Sequence, residues 1–332
     1  MDFIHPKIIV LSRTDSIGDV ALTLPLAGIL KKEFPSVKII FLGNSYTEPV
    51  ISCSRFVDEV WKWDDLSKMP KADSAKWLRE KQVDVFIHVF PRKEIARWAR
   101  SAGVPHRIGT SHRLFHLLTC NHRPNFTRKN SDLHEAQLNT KLLAPLGITR
   151  NFELETLYGF AGFGILPSLP ASLNELCVAG KKTVILHPKS KGSAVEWDVA
   201  NFIQLAESLD PTKYTILFTG TTQEGDLFRD QIPVKPNIFD LTGKMTLKEL
   251  IAVISKSHCL VAASTGPLHI AGLCGIRTIG LYSSRRPIHP GRWSPLGISI
   301  IVFEDKNNSG LNQPLQFDLR DILRQVEQVE SL

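Results

Sequence analysis

The feature that most constrains this chain is an alternation of short apolar strands and helical segments that runs, stops and starts again. The 8–11 run (Ile-Ile-Val-Leu) is apolar and β-branched, the pattern of a strand buried on both faces of a parallel sheet. It breaks into Ser12, Arg13, Thr14, Asp15 and Ser16, and a helical pattern follows with Val20, Leu24, Ala27, Ile29 and Leu30 on one side. Further strands are expected at 37–42, 57–61 and 83–89, helices at 74–81 and 92–101, and a short edge piece at 107–109. Residues 131–146 read as a helix capped by Ser131 and stopped by Gly147. Repeated strand–helix alternation predicts a parallel sheet covered on both faces.

Between 151 and 172 the rhythm breaks. Gly159, Gly162, Gly164, Pro167 and Pro170 crowd together, which is linker chemistry. Gly162-Phe-Gly164 is no dinucleotide fingerprint, because no buried strand precedes it and the third glycine is missing. Alternation then resumes, with strands expected at 183–186, 214–218, 238–241, 259–262 and 278–281 and an edge strand at 299–303. Helices are expected at 199–209, from about 223, at 247–255, from 264, and at 319–329. A chain of 332 residues with 43% hydrophobic and 22% charged residues suits two soluble domains. The expectation is α/β throughout: a Rossmann-like domain over 1–160, a Gly/Pro-rich linker over 161–172, and a second Rossmann-like domain over 173–332, facing each other across a cleft.

Composition removes several function classes. No apolar run reaches the roughly 18 residues of a membrane span, and the first six residues lack a basic region followed by an apolar core, so no secretory signal is expected. Five cysteines, far apart and odd in number, form neither a disulfide framework nor a C-x-x-C metal pattern, so the protein is expected to be cytoplasmic and reduced. The net charge is +7. Basic residues gather between 92 and 129, among them Arg92, Lys93, Arg97, Arg100, Arg113 and Arg128, with few aromatic residues to stack bases. This argues against nucleic acid and for an anionic substrate or an acidic membrane surface, unless the cluster is simply a solvated face. His112 and His116 stand four apart without the glutamate of an H-E-x-x-H zinc site, and no metal is expected. No G-x-S-x-G elbow and no Walker motif occurs.

Four loops could carry chemistry. In the first, Gly18 allows close backbone approach and Asp19 sets a carboxylate at the helix entrance; Asp15 and Asp19 also fit as helix caps. In the second half, Ser264-Thr-Gly-Pro-Leu-His269 joins a strand to a helix whose free N–H groups could hold a phosphate. His187-Pro-Lys-Ser-Lys191 adds two lysines and a serine in an equivalent loop. Glu224, after Gly220, could accept from ribose hydroxyls or act as a first-turn acid.

Taken together these motifs resemble glycosyltransferase family 9, the ADP-heptose:lipopolysaccharide heptosyltransferases. The resemblance spans nearly the whole chain. It runs from Ser16-Ile-Gly-Asp19 with Thr23-Leu-Pro25 through Asp132-Leu-His-Glu135 and Leu142-Leu-Ala-Pro-Leu-Gly147. It continues through His187-Pro188 with Trp197, Gly220 with Glu224, Thr265-Gly-Pro-Leu-His-Ile-Ala271 and Ile279-Gly-Leu-Tyr282 to Pro290-Gly-Arg-Trp293. It implies the GT-B architecture and inverting transfer of a heptose, or a related sugar, from an ADP-sugar to an acidic lipopolysaccharide inner-core acceptor, with Asp19 as general base. It further implies donor contacts at Lys189, Ser190, Lys191, Glu224, Met245, Ser264, Thr265, Gly266, Pro267 and His269. Acceptor contacts would fall at Arg13, Ser16, Gly18, Arg92, Arg97 and Arg113. No tightly bound cofactor is implied, and the place of action is the inner face of the inner membrane, held peripherally. Two positions depart from the family pattern: Val195 stands where a lysine is frequent, and Ser264 where an aspartate is. They leave open a relative using another nucleotide sugar, or a binding protein that has lost turnover.

Overall fold

Each segment of the first half read as a strand becomes a strand of one sheet. In the computed structural model, which describes residues 5–129, 131–177, 180–308 and 313–328, β1 (Ile8–Ser12), β2 (Lys38–Gly43), β3 (Glu59–Lys62), β4 (Val85–His88) and β5 (His106–Ile108) stand in the order β3-β2-β1-β4-β5. All neighbours are parallel. The central strand β1 is almost wholly buried, as its β-branched run requires. Trp61, Trp63, Trp77 and Trp98 pack together on one side, with the Trp61–Trp77 ring centroids 4.8 Å apart. This unit ends at Ile165, and a second unit begins at Leu166.

The second unit holds β6 (Lys182–His187), β7 (Tyr214–Phe218), β8 (Ile238–Asp240), β9 (Cys259–Ala263), β10 (Arg277–Ser283) and β11 (Ile300–Asp305). Their order is β11-β10-β9-β6-β7-β8, again parallel throughout. Its core joins Val184, Leu186, Val195, Trp197, Phe202, Phe218 and Ile279.

Four local readings change. The helical pattern after β1 is two helices, Ile17–Ala21 and Pro25–Glu33, because Pro25 cannot donate to the first helix and opens the second with its fixed φ. The 131–146 helix starts later, at Glu135. His134 is its N-cap, accepting from the Ala136 N–H at 3.3 Å, while the Ser131 hydroxyl closes a local turn by accepting from the Leu133 N–H. From Lys141 to Leu146 the chain tightens into a 3-10 helix around Pro145. The glycine-rich stretch holds a real helix, Leu154–Ala161, packed on Pro25–Glu33. Its approach is so close that a Cβ at Gly28 would lie 2.2 Å from the Phe160 carbonyl oxygen. The closing helix is Leu319–Glu327; Val329 and residues 1–4 lie outside the described residues.

Candidate active-site loops

In an open parallel sheet, ligands bind beyond the carboxyl ends of two neighbouring strands whose connections depart in opposite directions. In the first sheet those strands are β1 and β4. The loop after β1 carries Arg13, which is 4% exposed and surrounded by carboxylates. Its Nε donates to Asp15 Oδ1 at 2.7 Å, its Nη2 donates to Asp19 Oδ1, and its Nη1 lies 3.6 Å from Glu135 Oε1. Ser16 Oγ donates to the other oxygen of Asp19. Asp19 is therefore oriented at both oxygens in the first turn of its helix, and Ser16, the N-cap, makes no side-chain cap. Asp15 pairs with Arg13; burial pushes its carboxyl up to about 6, with Arg13 opposing the shift and the nearby Asp19 adding to it.

Glu135 completes this network and was not among the expected site residues. It is 2% exposed, and its Oε1 accepts from Arg128 Nε at 3.0 Å. Arg128 also donates to Asn139 Oδ1 at 2.9 Å, and Asn139 Nδ2 donates to the Leu22 carbonyl at 3.2 Å. Two arginines thus lie among three carboxylates. In the sequence Glu135 looks like an ordinary first-turn acid; only the fold brings it to Arg13. Of the other expected acceptor residues, Gly18 is buried in the same helix as Asp19. Arg92 Nη1 reaches Thr14 Oγ1 at 3.4 Å. Arg97 and Arg113 are exposed, and no hydrogen bond or ion pair ties them to Asp19.

In the second sheet the equivalent strands are β6 and β9. After β6, Lys189 Nζ pairs with Glu196 Oε2 at 2.5 Å, and Ser190 donates through its N–H (2.6 Å) and hydroxyl (2.8 Å) to Glu196 Oε1. Lys191 is exposed, with φ +51°. After β9, Thr265 is the N-cap of the Gly266–Leu273 helix, with Pro267 in its first turn. Asp198, Thr221 and Thr246 each cap their helix with a side-chain oxygen. Thr265 does not, and its buried Oγ1 has no hydrogen-bond partner among the described residues. That leaves a helix N-terminus and a hydroxyl ready for an anion. Ser264 is half-buried, close to the Tyr282 hydroxyl, and His269 is buried in the helix. Glu224 serves a capping box, its Oε2 accepting from the Thr221 N–H at 2.7 Å and hydroxyl at 2.9 Å. Met245 is half-buried in the loop after β8. All the expected donor residues therefore lie beyond the carboxyl ends of β6, β7, β8 and β9 or in the helix that follows.

Two buried histidines set the acid response. His187 Nδ1 lies 2.9 Å from Thr219 Oγ1, and burial pushes its ring down to about 4 against the pull of Glu224 and Glu196. His88, at the end of β4, is pushed down to about 3 by burial, then by His116 and Arg107. Below the ordinary histidine value of 6.5 the unfolded chain takes up protons that the folded chain refuses, so stability is complete above pH 6.5 and falls as pH drops toward 4. Each ring contributes up to about 1.4 kcal/mol per pH unit in that window. Asp15 acts in the opposite sense between 3.8 and about 6, one group against these two and against His116, His122 and His258, which burial also lowers. The expected result is a thermal midpoint that falls steadily from pH 6.5 to 4.5; a flat midpoint would contradict it. His116 is buried, its Nδ1 2.9 Å from the Thr110 carbonyl, while His112 precedes the Leu114–Thr119 helix. Among the described residues no group of three His, Cys, Asp or Glu could hold a metal ion, and no helix is long and apolar enough to cross a membrane.

Comparison with known proteins agrees with this fold. The model of glycosyltransferase family 9 (heptosyltransferase) matches residues 73–314. Lipopolysaccharide heptosyltransferase 3 of Escherichia coli K12 is 26% identical over 301 residues, 86% of this chain and 84% of that protein. A family 9 glycosyl transferase from Veillonella parvula superposes with TM-score 0.77 at 19% identity, covering 99% of this chain and 98% of the other. Escherichia coli ADP-heptose lipopolysaccharide heptosyltransferase II superposes with TM-score 0.74 at 16% identity, covering 97% and 98%. The two parallel-sheet units have the GT-B fold of these structures.

Proposed function

The chain belongs to glycosyltransferase family 9, and on that premise we propose that it transfers a heptose, or a related sugar, from an ADP-sugar to an acidic lipopolysaccharide inner-core acceptor. Membership makes it a glycosyltransferase of the heptosyltransferase-like kind. Donor, acceptor and base are our reading. The observation that carries it is the Asp19 carboxylate, fixed at both oxygens by Arg13 and Ser16 at the ligand-binding end of the first sheet. A carboxylate so placed needs only hydrogen-bond reach to take the acceptor hydroxyl's proton. The freed oxygen attacks the anomeric carbon as its bond to the diphosphate breaks on the opposite face. ADP leaves with the bonding electrons and the configuration inverts.

In this reading the diphosphate rests on the N–H groups at Thr265 and Gly266, with Pro267 and His269 shaping that helix turn, Ser264 beside it, and the 189–191 loop opposite. Developing charge on a leaving diphosphate is stabilised by fixed donors and cations. Val195 is buried in the core, so the cation falls to Lys189 and Lys191. Met245 lies by the adenine. Glu224 offers Oε1 to a ribose hydroxyl, both capping bonds ending on Oε2. Arg92, Arg97 and Arg113 meet acceptor phosphates or carboxylates, for which guanidinium forks are suited. The similar E. coli protein's name includes ADP-heptose, which supports the choice of nucleotide. No tightly bound cofactor or metal is needed, and the protein works at the cytoplasmic face of the membrane that holds its acceptor.

One observation favours a second reading: Lys189 is already matched by Glu196 and position 195 carries no charge, so the donor site is less cationic than the family pattern implies. A different nucleotide sugar, or binding without turnover, would follow. A thermal-shift screen of nucleoside diphosphates and their sugars separates these. Selective stabilisation by ADP and ADP-heptose is expected; selectivity for UDP or GDP favours the second reading. Calorimetry should show Lys191→Ala weakening ADP binding by about 3- to 10-fold, and Lys189→Ala by less because Glu196 shares its amine. Unchanged affinity in both variants would return these lysines to solvent.

A further inference from the structure

The Lys93–Ser101 helix starts beside Arg92, whose bond to Thr14 ties it to the Asp19 loop. Against it packs the short Leu114–Thr119 helix. Leu114, Leu117 and Leu118 of that helix are 84%, 52% and 73% exposed. Their i, i+3, i+4 spacing gathers them on one face. A single exposed leucine is ordinary, but three together make an apolar patch. Between the two helices lies a groove of about 660 Å³, lined by Lys93, Arg97, Arg100, Leu114, Phe115 and Leu118 among others. Arg100 Nη1 donates to the Leu118 carbonyl at 2.6 Å, which fixes the helices against each other. Lys93, Arg97 and Arg113 form no ion pair with any described residue. An apolar face rimmed by unneutralised cations is the pattern of an element that lies in a membrane interface.

We propose that this face seats the protein on an anionic phospholipid bilayer. The three leucines enter the boundary between headgroups and acyl chains, and Lys93 and Arg100 meet lipid phosphates, with Arg97 and Arg113 left to the acceptor. The proposal rests on the glycolipid acceptor argued above and names the surface that would bring the Asp19 loop to it. Charge selects the occupant: a second copy would bring the same cationic rim and a further net +7, whereas anionic lipid attracts it. Each cation near such a surface favours binding by about fivefold, an effect that salt screens.

The test is sedimentation of the full chain with mixed phosphatidylglycerol–phosphatidylcholine vesicles and with pure phosphatidylcholine vesicles, at low and high salt. Wild type should bind the mixed vesicles at low salt. Binding should fall by at least about tenfold at high salt and in a Leu114→Ser/Leu118→Ser variant, and by about fivefold in Lys93→Gln. No binding to the mixed vesicles by wild type, or full binding by the leucine variant, would overturn the proposal. So would a wild-type dimer in analytical ultracentrifugation that the leucine variant abolishes, since a second copy would then cover the face. The leucine variant should keep wild-type ADP binding and wild-type transfer to a deacylated, water-soluble acceptor. If wild type binds vesicles but transfers to no acceptor, the functional reading fails and the surface stands.

Discussion

Asp19→Asn is expected to lower kcat by about 10²- to 10⁴-fold, the usual share of a positioned general base, while ADP affinity stays close to wild type. Asparagine keeps the size of the side chain and can still accept from the Arg13 guanidinium, so the loop is retained and the proton acceptor is lost. The expected separation follows from placement: Asp19 follows β1 in the first unit, and the loops proposed to bind the nucleotide follow β6 to β9 in the second. Steady-state transfer kinetics with parallel ADP calorimetry read the two effects. Undiminished transfer would remove Asp19 as the base. Equal loss of transfer and of ADP binding would make its role structural.

Glu135→Ala is expected to cost about 3–5 kcal/mol of stability, because it removes a carboxylate from between two arginines at a buried position. For a unit of this size that is a fall in Tm of roughly 6–20 °C. Exposed pairs such as Lys68–Asp65 should contribute under about 1 kcal/mol on removal. The contrast is the point. Arg13 orients Asp19, and Glu135 helps hold Arg13, so milder variants such as Glu135→Gln should reduce kcat more than they raise the donor KM. A Glu135→Ala Tm within about 2 °C of wild type would show that the buried network does not hold the loop.

The sheets were legible because their central strands are short apolar runs, and each segment read as a strand became one. From the residues alone Asp19 was legible only as a position, a carboxylate just past a strand end; the family resemblance chose it over Asp15. In the structure Arg13 bonds both carboxylates and Ser16 bonds Asp19, a difference of side-chain geometry. Glu135 was hidden because its partners are distant in sequence and its own surroundings suit any first-turn acid. The Leu154–Ala161 helix was masked by its glycines and prolines; it is stable because Gly28 lets it settle against the Pro25–Glu33 helix, a contact no local pattern records. Thr265 shows the reverse. Its Ser-Thr-Gly-Pro context suggested an anion site; the structure has there an uncapped helix start and a buried hydroxyl with no hydrogen-bond partner among the described residues.

The central claim, transfer from an ADP-sugar to a lipopolysaccharide inner core, is tested most directly by mass spectrometry of a truncated inner-core acceptor incubated with ADP-heptose and the purified protein. The account predicts the gain of a single heptosyl residue, released ADP in equal amount, and neither with Asp19→Asn. An unmodified acceptor with ADP-heptose, together with sugar transfer from a UDP- or GDP-sugar, would contradict it.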